Sequence, residues 1–168
     1  MLRLLDPERD GPALHAVFGD EASCRFLADP ATRSASETVR LLKKWNEGTE
    51  DTTWAVVEHA DGEALGRATL IPRGREIWEI GIMMCPAARG RGLATKALAG
   101  IIDDAFDRRG ARRIFADADD ENISSIRLFE RLGFQREGLL RGTWVTHIGE
   151  RHSIILGMLH HDPRPWRS

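Results

Sequence analysis

The most constraining feature of this sequence is an apolar run that passes through a glycine-rich turn into a long amphipathic segment. The turn Arg89-Gly90-Arg91-Gly92 follows the apolar pair Met83-Met84. Apolar residues at helical spacing then run from Leu93 towards Gly110, which predicts one long helix that begins at the turn. In a strand–turn–helix unit of this kind, the first N–H groups of the helix lie beside the glycines. The arrangement favours a bound anion, phosphate in particular.

The glycine pair alone leaves several kinds of site open. A turn that merely needs two flexible residues is equally consistent with it. The P-loop is excluded, because residues 90–96 lack the Gly-x-x-x-x-Gly-Lys-Ser/Thr order. The dinucleotide-binding fingerprint fits better, since Asp117 ends the next predicted strand where a ribose-binding acid would lie. Its third glycine is replaced by Thr95, and the residues after Gly133 predict a hairpin. A dinucleotide-dependent oxidoreductase therefore remains an alternative interpretation of this turn.

Changes of hydrophobic period and turn signals divide the rest of the chain. Helices are predicted from Asp6-Pro7 to about Phe18, from Ser34 or Ser36 to Gly48, and from Asn122 to Leu132. Strands are predicted over residues 2–5, 53–58, 64–71, 77–84 and 112–117, with two more on either side of Ile148-Gly149. The turns at 61–62 and 72–74 predict antiparallel pairing of the strands between 53 and 84. Helices among meandering strands predict a mixed α/β sheet.

Composition limits the classes of protein and of partner. A length of 168 residues with 42% hydrophobic content predicts one domain over residues 1–168. The 24 basic residues are offset by 26 acidic ones, so no nucleic-acid or membrane partner is expected. Two distant cysteines and no apolar leader or spanning segment predict a cytoplasmic chain with reduced thiols. The six histidines have no ligand spacing with the cysteines, so no metal is expected.

Three spaced motifs connect the turn to a known family. Arg89-x-x-Gly92-x-Ala94 matches the Arg/Gln-x-x-Gly-x-Gly/Ala acetyl-CoA loop of the GNAT superfamily of N-acetyltransferases. Asn122-x-x-Ser125 and Gly133-Phe134 match the start and end of the helix that follows in that family. Segments 79–84, 136–141 and 155–159 resemble the branch that contains ribosomal-protein N-terminal (RimJ/RimL-like) and diamine or spermidine acetyltransferases. The resemblance covers residues 2–159.

The resemblance implies both a fold and a reaction. The fold is the α/β GNAT fold, a mixed and mostly antiparallel seven-stranded sheet with helices on both faces and a splayed central strand pair. Acetyl-CoA, as co-substrate, would lie where the two central strands diverge. The reaction is direct transfer of the acetyl group to a primary amine, either a protein N-terminus or a small molecule.

The resemblance also assigns residues to the donor. Backbone groups of Ile82, Met83 and Met84 would pair with the pantetheine arm, although core packing is the ordinary role of such side chains. Asn122 would hydrogen-bond the pantetheine, and Phe129 would pack beside it. The pyrophosphate would be held by Arg89, Gly90, Arg91, Gly92, Leu93, Ala94 and Thr95.

Two residues are candidates for proton transfer, because the amine must lose a proton and the leaving thiolate must gain one. Glu79, on the strand that leads to the cofactor segment, is the candidate base, and a solvated strand glutamate is the alternative. Many family members use a tyrosine as the acid, but the sequence contains none and has Phe129 at that position. Ser125 is the candidate acid, with a helix-start hydroxyl or a water as alternatives.

The last hairpin departs most from the family. Its turn usually carries Asp/Asn-Gly followed by an aromatic and an acidic residue, whereas this chain has Ile148-Gly149, Arg151 and Ser153. The resemblance therefore does not select the acceptor. An exposed hairpin there would suit a homodimer. The missing tyrosine keeps a second alternative open, a catalytically quiet acyl-CoA-binding regulatory module.

Overall fold

A computed structural model describes residues 1–47 and 49–167, which form seven strands and five α-helices. The strands are β1 (Leu2–Leu4), β2 (Thr52–Val56), β3 (Gly66–Pro72), β4 (Ile77–Met84), β5 (Arg113–Asp119), β6 (Gln135–Thr146) and β7 (Gly149–Leu159). The helices are α1 (Pro7–Phe18), α2 (Glu21–Cys24), α3 (Ala35–Asn46), α4 (Leu93–Asp107) and α5 (Ile123–Arg131). Every predicted element is present, and α2 is an addition. The end predicted at Gly48 for the second helix lies outside the described residues.

Side-chain caps explain where the first helices begin. The carboxylate of Asp6 accepts hydrogen bonds from the N–H groups of Glu8 and Arg9 at the start of α1. The hydroxyl of Ser34 caps α3 by accepting from the N–H of Glu37, which decides between the two serines proposed from the sequence. Such caps satisfy N–H groups that have no partner within the helix.

The sheet has the strand order β1-β2-β3-β4-β5-β7-β6. All neighbouring strands are antiparallel except β4 and β5, which run parallel. That parallel pair covers only Ile77–Glu79 against Arg113–Phe115, and β4 continues to Met84 without a β5 partner among the described residues. The predicted fold, with its splayed central strands, is confirmed.

Helices cover both faces of the sheet. On one face, Arg67 of β3 stacks on Trp45 of α3, with 4.8 Å from the guanidinium carbon to the ring centroid. On the other face, Arg109, just after α4, lies 5.6 Å from the ring centroids of Trp54 and Trp78. We call these the α3 face and the α4 face. On β4, strand alternation places Glu79, Gly81 and Met83 on the α3 face.

The cores between the sheet and the helices on each of its faces consist of buried apolar side chains. Leu98, Ile101 and Ile102 of α4 are fully buried, as are Leu14 of α1 and Leu42 of α3. Each such side chain stabilises the folded state by about 1.5–3 kcal/mol relative to exposure. The apolar period that predicted α4 therefore reflects its packing against the sheet.

The last two strands form an antiparallel hairpin whose tip contacts the segment between α2 and α3. The N–H of His147 donates to the carbonyl oxygen of Ala28 at 3.1 Å, between α2 and α3. A dinucleotide-binding chain would need further parallel strand–helix units at this place. The hairpin excludes that topology, so the oxidoreductase alternative is not retained.

Candidate functional site

A cavity of about 540 Å³ opens where β4 and β5 diverge. It runs from the end of β4, along the glycine-rich turn and the start of α4, to one side of α5. A volume of this size is typical of small-molecule and cofactor sites. Its wall consists of Val17, Ala22, Ser23, Phe26, Ile82, Met83, Met84, Ala88, Arg89, Gly90, Gly92, Leu93, Ala94, Thr95, Asn122, Ser124, Ser125, Leu128 and Arg131.

Towards this cavity, the edge of β4 presents backbone groups that have no partner in a neighbouring strand among the described residues. The N–H of Cys85 donates to the carbonyl oxygen of Leu65 at 2.8 Å, on the β3 side. Because successive residues of a strand alternate in the direction of their backbone groups, Met84 and Ile82 direct theirs towards the splay. Met83 directs its own towards β3, where it pairs with Arg67. An extended ligand could therefore bind beside Ile82 as an added strand.

The glycine-rich turn forms the anion end of the cavity. Gly90 and Gly92 have φ angles of 74° and 73°, which glycine adopts without the cost that a side chain imposes. A Cβ atom at either position would have no heavy atom within 4 Å. The glycines are therefore required by the backbone conformation, and they leave open space in front of it.

The start of α4 is left without a side-chain cap. Gly92 is the N-cap residue and has no side chain to accept from the helix. The N–H groups of Leu93, Ala94 and Thr95 therefore lack the usual capping partner beside the cavity. A helix start carries roughly half a positive charge, so these groups favour a bound anion.

Arg89 spans the cavity from the turn to α2. Its Nε donates to the carbonyl oxygen of Met84 at 3.1 Å, and its Nη2 donates to the hydroxyl of Ser23 at 2.5 Å. The Ser23 hydroxyl in turn donates to the carboxylate of Asp20, and the hydrogen bonds from Ser23 lower the pKa of Asp20. Arg89 and Arg131 are the charged side chains of the wall described, so the cavity is suited to an anionic ligand.

Asn122 sits between the cavity and α5. Its Oδ1 accepts from the N–H of Ser125 at 3.2 Å and from the hydroxyl of Ser124 at 2.9 Å, which caps the helix. Within the described part of the chain, its Nδ2 has no hydrogen-bond acceptor and the Ser125 hydroxyl has no partner. Both groups are therefore available to a ligand in the cavity.

Most of the residues expected from the sequence come together in this wall. They are Ile82, Met83, Met84, Arg89, Gly90, Gly92, Leu93, Ala94, Thr95, Asn122 and Ser125. The glycine-rich loop and the start of α5 thus meet at one cavity, although they are more than 25 positions apart in the sequence.

Three expected residues do not line the cavity. Arg91 is not part of the wall and forms a salt bridge with Glu58. Phe129 is only 2% exposed and packs edge-on against Phe134, with ring centroids 5.2 Å apart, so it belongs to the core. Glu79 lies further back on β4, on the α3 face, where its Oε2 accepts from Arg73 at 2.6 Å.

Sequence reasoning missed several residues of the wall. Four of them come from α1, which was predicted, and from the region of α2, which was not: Val17, Ala22, Ser23 and Phe26. Four residues are too short a segment to show a helical period. Ser124, Leu128 and Arg131 follow one another at helical spacing along α5, and this spacing was a signal that could have identified them.

An ion network holds the end of β5 beside the cavity. Arg151 donates from Nε and Nη2 to the two oxygens of Asp119, both at 2.8 Å, and lies 3.1 Å from Glu121. Glu121 also accepts from Arg25, which joins the loop before α5 to the end of α2. Burial raises the pKa of Asp119, but the hydrogen bonds from Arg151 and from the backbone of Glu121 outweigh it and lower the pKa overall.

Residues 1–47 and 49–167 contain neither a membrane-spanning helix nor a metal-binding cluster. None of their helices is both long and apolar enough to cross a bilayer. None of their histidine, cysteine and carboxylate side chains assemble in groups of three that could hold a metal ion.

Comparison with known proteins identifies the family to which this chain is related. Residues 1–135 match the family described as the acetyltransferase (GNAT) domain. The N-acetyltransferase p20 of Bacillus licheniformis is 41% identical over 146 residues, which cover 83% of this chain and 81% of that protein. The N-acetyltransferase YnaD of Bacillus subtilis is 32% identical over 134 residues, 79% and 78% of the two chains.

Solved structures share the fold over nearly the whole chain. A probable GNAT-family acetyltransferase from Chromobacterium violaceum has a TM-score of 0.88 at 27% identity, covering 99% of this chain and 84% of that one. The spermidine N-acetyltransferase of Vibrio cholerae, in complex with CoA and spermine, has a TM-score of 0.80 at 20% identity. The alignment with that enzyme covers 96% of each chain, and at this identity it supports the fold alone.

Proposed function

Because the chain belongs to the GNAT acetyltransferase family, we propose that it moves the acetyl group of acetyl-CoA directly to a primary amine. The acceptor is a small molecule or a protein N-terminus, and residues 1–168 act as one domain. One observation carries the proposal: a single cavity joins an open strand edge to an uncapped helix start. An extended amide-containing arm that ends in a pyrophosphate needs this combination.

The donor would bind in three parts. The amides of the pantetheine arm would pair with the backbone of Ile82 and with the Nδ2 of Asn122. The pyrophosphate would lie on the turn of Gly90 and Gly92 and on the first N–H groups of α4. Arg89 would supply a formal charge there. Charge-assisted hydrogen bonds of this kind are about twice as strong as neutral ones.

The reaction needs no covalent enzyme intermediate. The lone pair of the neutral amine attacks the thioester carbonyl carbon, a C–N bond forms, and the C–S bond breaks. A cationic amine and acetyl-CoA thus give an amide, the free thiol of CoA and one released proton. The protein's task is to hold the two reactants in line and to move the protons.

Glu79 and Ser125 would move those protons. The Oε2 of Glu79 is bound to Arg73, while its Oε1 has no hydrogen-bond partner among the described residues. That oxygen could accept the amine proton through water. Ser125 lines the cavity with an unengaged hydroxyl, which supports its role in protonating the departing sulfur.

The alternative of a quiet acyl-CoA-binding module rests on the lack of tyrosine. Phe129 takes the position of the acid used by many relatives and lies in the core. The structure offers the Ser125 hydroxyl in the cavity instead, which favours an active enzyme over the module.

Two linked measurements test the function. Calorimetric titration of acetyl-CoA into the purified protein measures donor binding, and a free-thiol assay then measures CoA release with a panel of amines. Binding with amine-dependent release supports the enzyme and identifies its acceptor class. Binding without release across a broad panel supports the module. No binding of acetyl-CoA would overturn both.

The exposed hairpin also bears on assembly. Leu139, Leu140 and Val145 of β6 have exposed side chains along an edge strand. Unpaired, apolar edge strands tend to associate. A homodimer through this hairpin is expected, and light scattering during size-exclusion chromatography measures it. A monomer at all concentrations would contradict this expectation.

A further inference from the structure

The carboxylates beside the splay differ in whether they have a cationic partner. Glu79 is paired with Arg73, Glu137 with Arg113, and Asp119 with Arg151. Asp117 lies between these pairs on β5 and makes no salt bridge within the described part of the chain. Its charge is therefore left for a ligand to balance.

Asp117 lies on the α3 face of the sheet, the face that also carries Glu79. Along β5 the buried residues Ile114, Ala116 and Ala118 alternate with Phe115, Asp117 and Asp119. Phe115 is the last residue paired with β4, and its partner there is Glu79. Asp117 and Glu79 therefore project to the same side of the sheet.

The position along the strand places Asp117 at the start of the splay. It is two residues beyond the last pair between β4 and β5. With usual strand spacing and rise, its Cα lies roughly 8 Å from that of Glu79, or further as the strands diverge. A Cα separation of this size leaves space between the two side chains for an amino group and a bridging water.

An aromatic ring completes the environment of this carboxylate. Trp144 of β6 donates from its indole Nε1 to the Oδ2 of Asp117 at 3.2 Å, and 46% of the Trp144 residue is exposed. The face of an indole ring attracts cations, and so does a carboxylate. The indole hydrogen bond also holds the carboxylate in one orientation.

We propose that Asp117 and Trp144 form the recognition site for the ammonium group of the acceptor. This inference rests on the proposed acetyl transfer and narrows its acceptor to amines that arrive as cations. Asp117 binds the ammonium ion, and Trp144 orients the carboxylate and offers its ring to the cation. The ammonium proton then passes through water to Glu79 or to solvent, and the neutral amine attacks the thioester.

The test compares charged and uncharged nucleophiles in matched variants. Phenethylamine, putrescine and a peptide with a free N-terminus are cationic near neutral pH, whereas phenylhydrazine is not. Asp117→Asn should raise KM for the cationic acceptors about tenfold to hundredfold, because it removes a charged hydrogen-bond partner. It should leave KM for phenylhydrazine and the affinity for acetyl-CoA unchanged.

Two further variants separate the ring from the hydrogen bond. Trp144→Phe keeps an aromatic face and should have a smaller effect on KM than Trp144→Leu. Asp61→Asn, an exposed aspartate in the turn between β2 and β3, is the control for loss of a surface charge. Equal KM values for Asp117→Asn and Asp61→Asn with cationic acceptors would overturn the proposal while leaving acetyl transfer intact.

A binding measurement covers the case in which none of these acceptors turns over. The three cationic amines are titrated into protein saturated with CoA, for the natural sequence and for Asp117→Asn. Binding that is lost in the variant supports the site. Equal binding by both proteins, or no binding by the natural sequence, contradicts it. Failure of acetyl-CoA to bind would instead count against the proposed function.

Discussion

Arg89 reaches back from the glycine-rich turn to donate from Nε to the carbonyl oxygen of Met84, at 3.1 Å. The bond ties the cation of the turn to the last residue of β4. The strand edge and the anion end of the cavity are thereby held in a fixed relation, so a change at Arg89 affects both the charge and the geometry of the site.

Replacing Arg89 tests the anion end. Arg89→Ala removes a charge-assisted interaction worth about 1.5–3 kcal/mol, so the dissociation constant for acetyl-CoA should rise about tenfold to hundredfold. Titration calorimetry measures the change. Arg91→Ala is the matched control, because Arg91 pairs with Glu58 outside the cavity. Equal losses of acetyl-CoA affinity in the two variants would show that the effect comes from the change in net charge and not from the position of Arg89.

Replacing Glu79 tests the proposed base. Glu79→Gln should lower kcat mainly at neutral pH and below, where the amine most needs help in losing its proton, with little effect on the affinity for acetyl-CoA. The pH–rate profile of each protein measures this. If the profiles coincide, Glu79 has no part in proton transfer and its bond to Arg73 is structural.

Replacing Ser125 tests the proposed acid. General acid–base groups contribute about a hundredfold or more to rate, and water can recover part of this. Ser125→Ala should therefore lower kcat about tenfold to hundredfold without changing the dissociation constant for acetyl-CoA. Ser36→Ala, at an exposed position of α3, serves as the control. An unchanged kcat in Ser125→Ala would indicate that water, and not Ser125, protonates the departing thiolate.

The pair of Arg151 and Asp119 should govern stability at the end of β5. Arg151→Met leaves a nearly buried carboxylate without its partner, which should lower the free energy of unfolding by about 3 kcal/mol. Urea denaturation measures the loss. Asp119→Asn in the same background should recover part of the lost stability. A lack of recovery would show that the loss does not come from the unpaired Asp119 carboxylate.

The same pair has a defined pH dependence. The pKa of Asp119 is lower in the folded protein than its ordinary value, so folding favours the ionised form. The stabilisation is complete above the unfolded pKa, about 3.9, and is lost as the pH falls through the folded value. Arg151→Met should weaken this acid dependence.

The thiol of Cys24 should be protected in the folded protein. Burial raises its pKa to about 11, from an ordinary 9.0, and the residue is 1% exposed. It should therefore remain unmodified by a thiol reagent near neutral pH until the protein unfolds, when both cysteines react. Rapid reaction of a thiol in the native state would contradict this burial. Because the folded state retains the thiol proton, stability should fall as the pH rises from 9 towards 11.

The sequence predicted those parts of the site that depend on backbone conformation. Glycines at left-handed φ angles and an apolar helical period leave local signals, and the turn at Gly90 and Gly92 was located from them. The placement of Phe129 was not predicted, because which face of α5 meets the cavity depends on packing against Phe134. The lack of a salt bridge at Asp117 among the described residues was not predicted either, since the cationic partners of the neighbouring carboxylates, Arg73, Arg113 and Arg151, come from three separate segments of the chain.

The open edge of β4 has a consequence for how the chain can vary. In the proposed donor complex, recognition would use the backbone amide and carbonyl of Ile82, a pair of groups that every residue except proline carries. The identity of the side chain at this position would therefore be determined by its packing against the neighbouring hydrophobic layer. The proposed mode of binding would therefore tolerate different side chains along this strand, provided that the strand keeps its direction and its edge towards β5 stays unpaired.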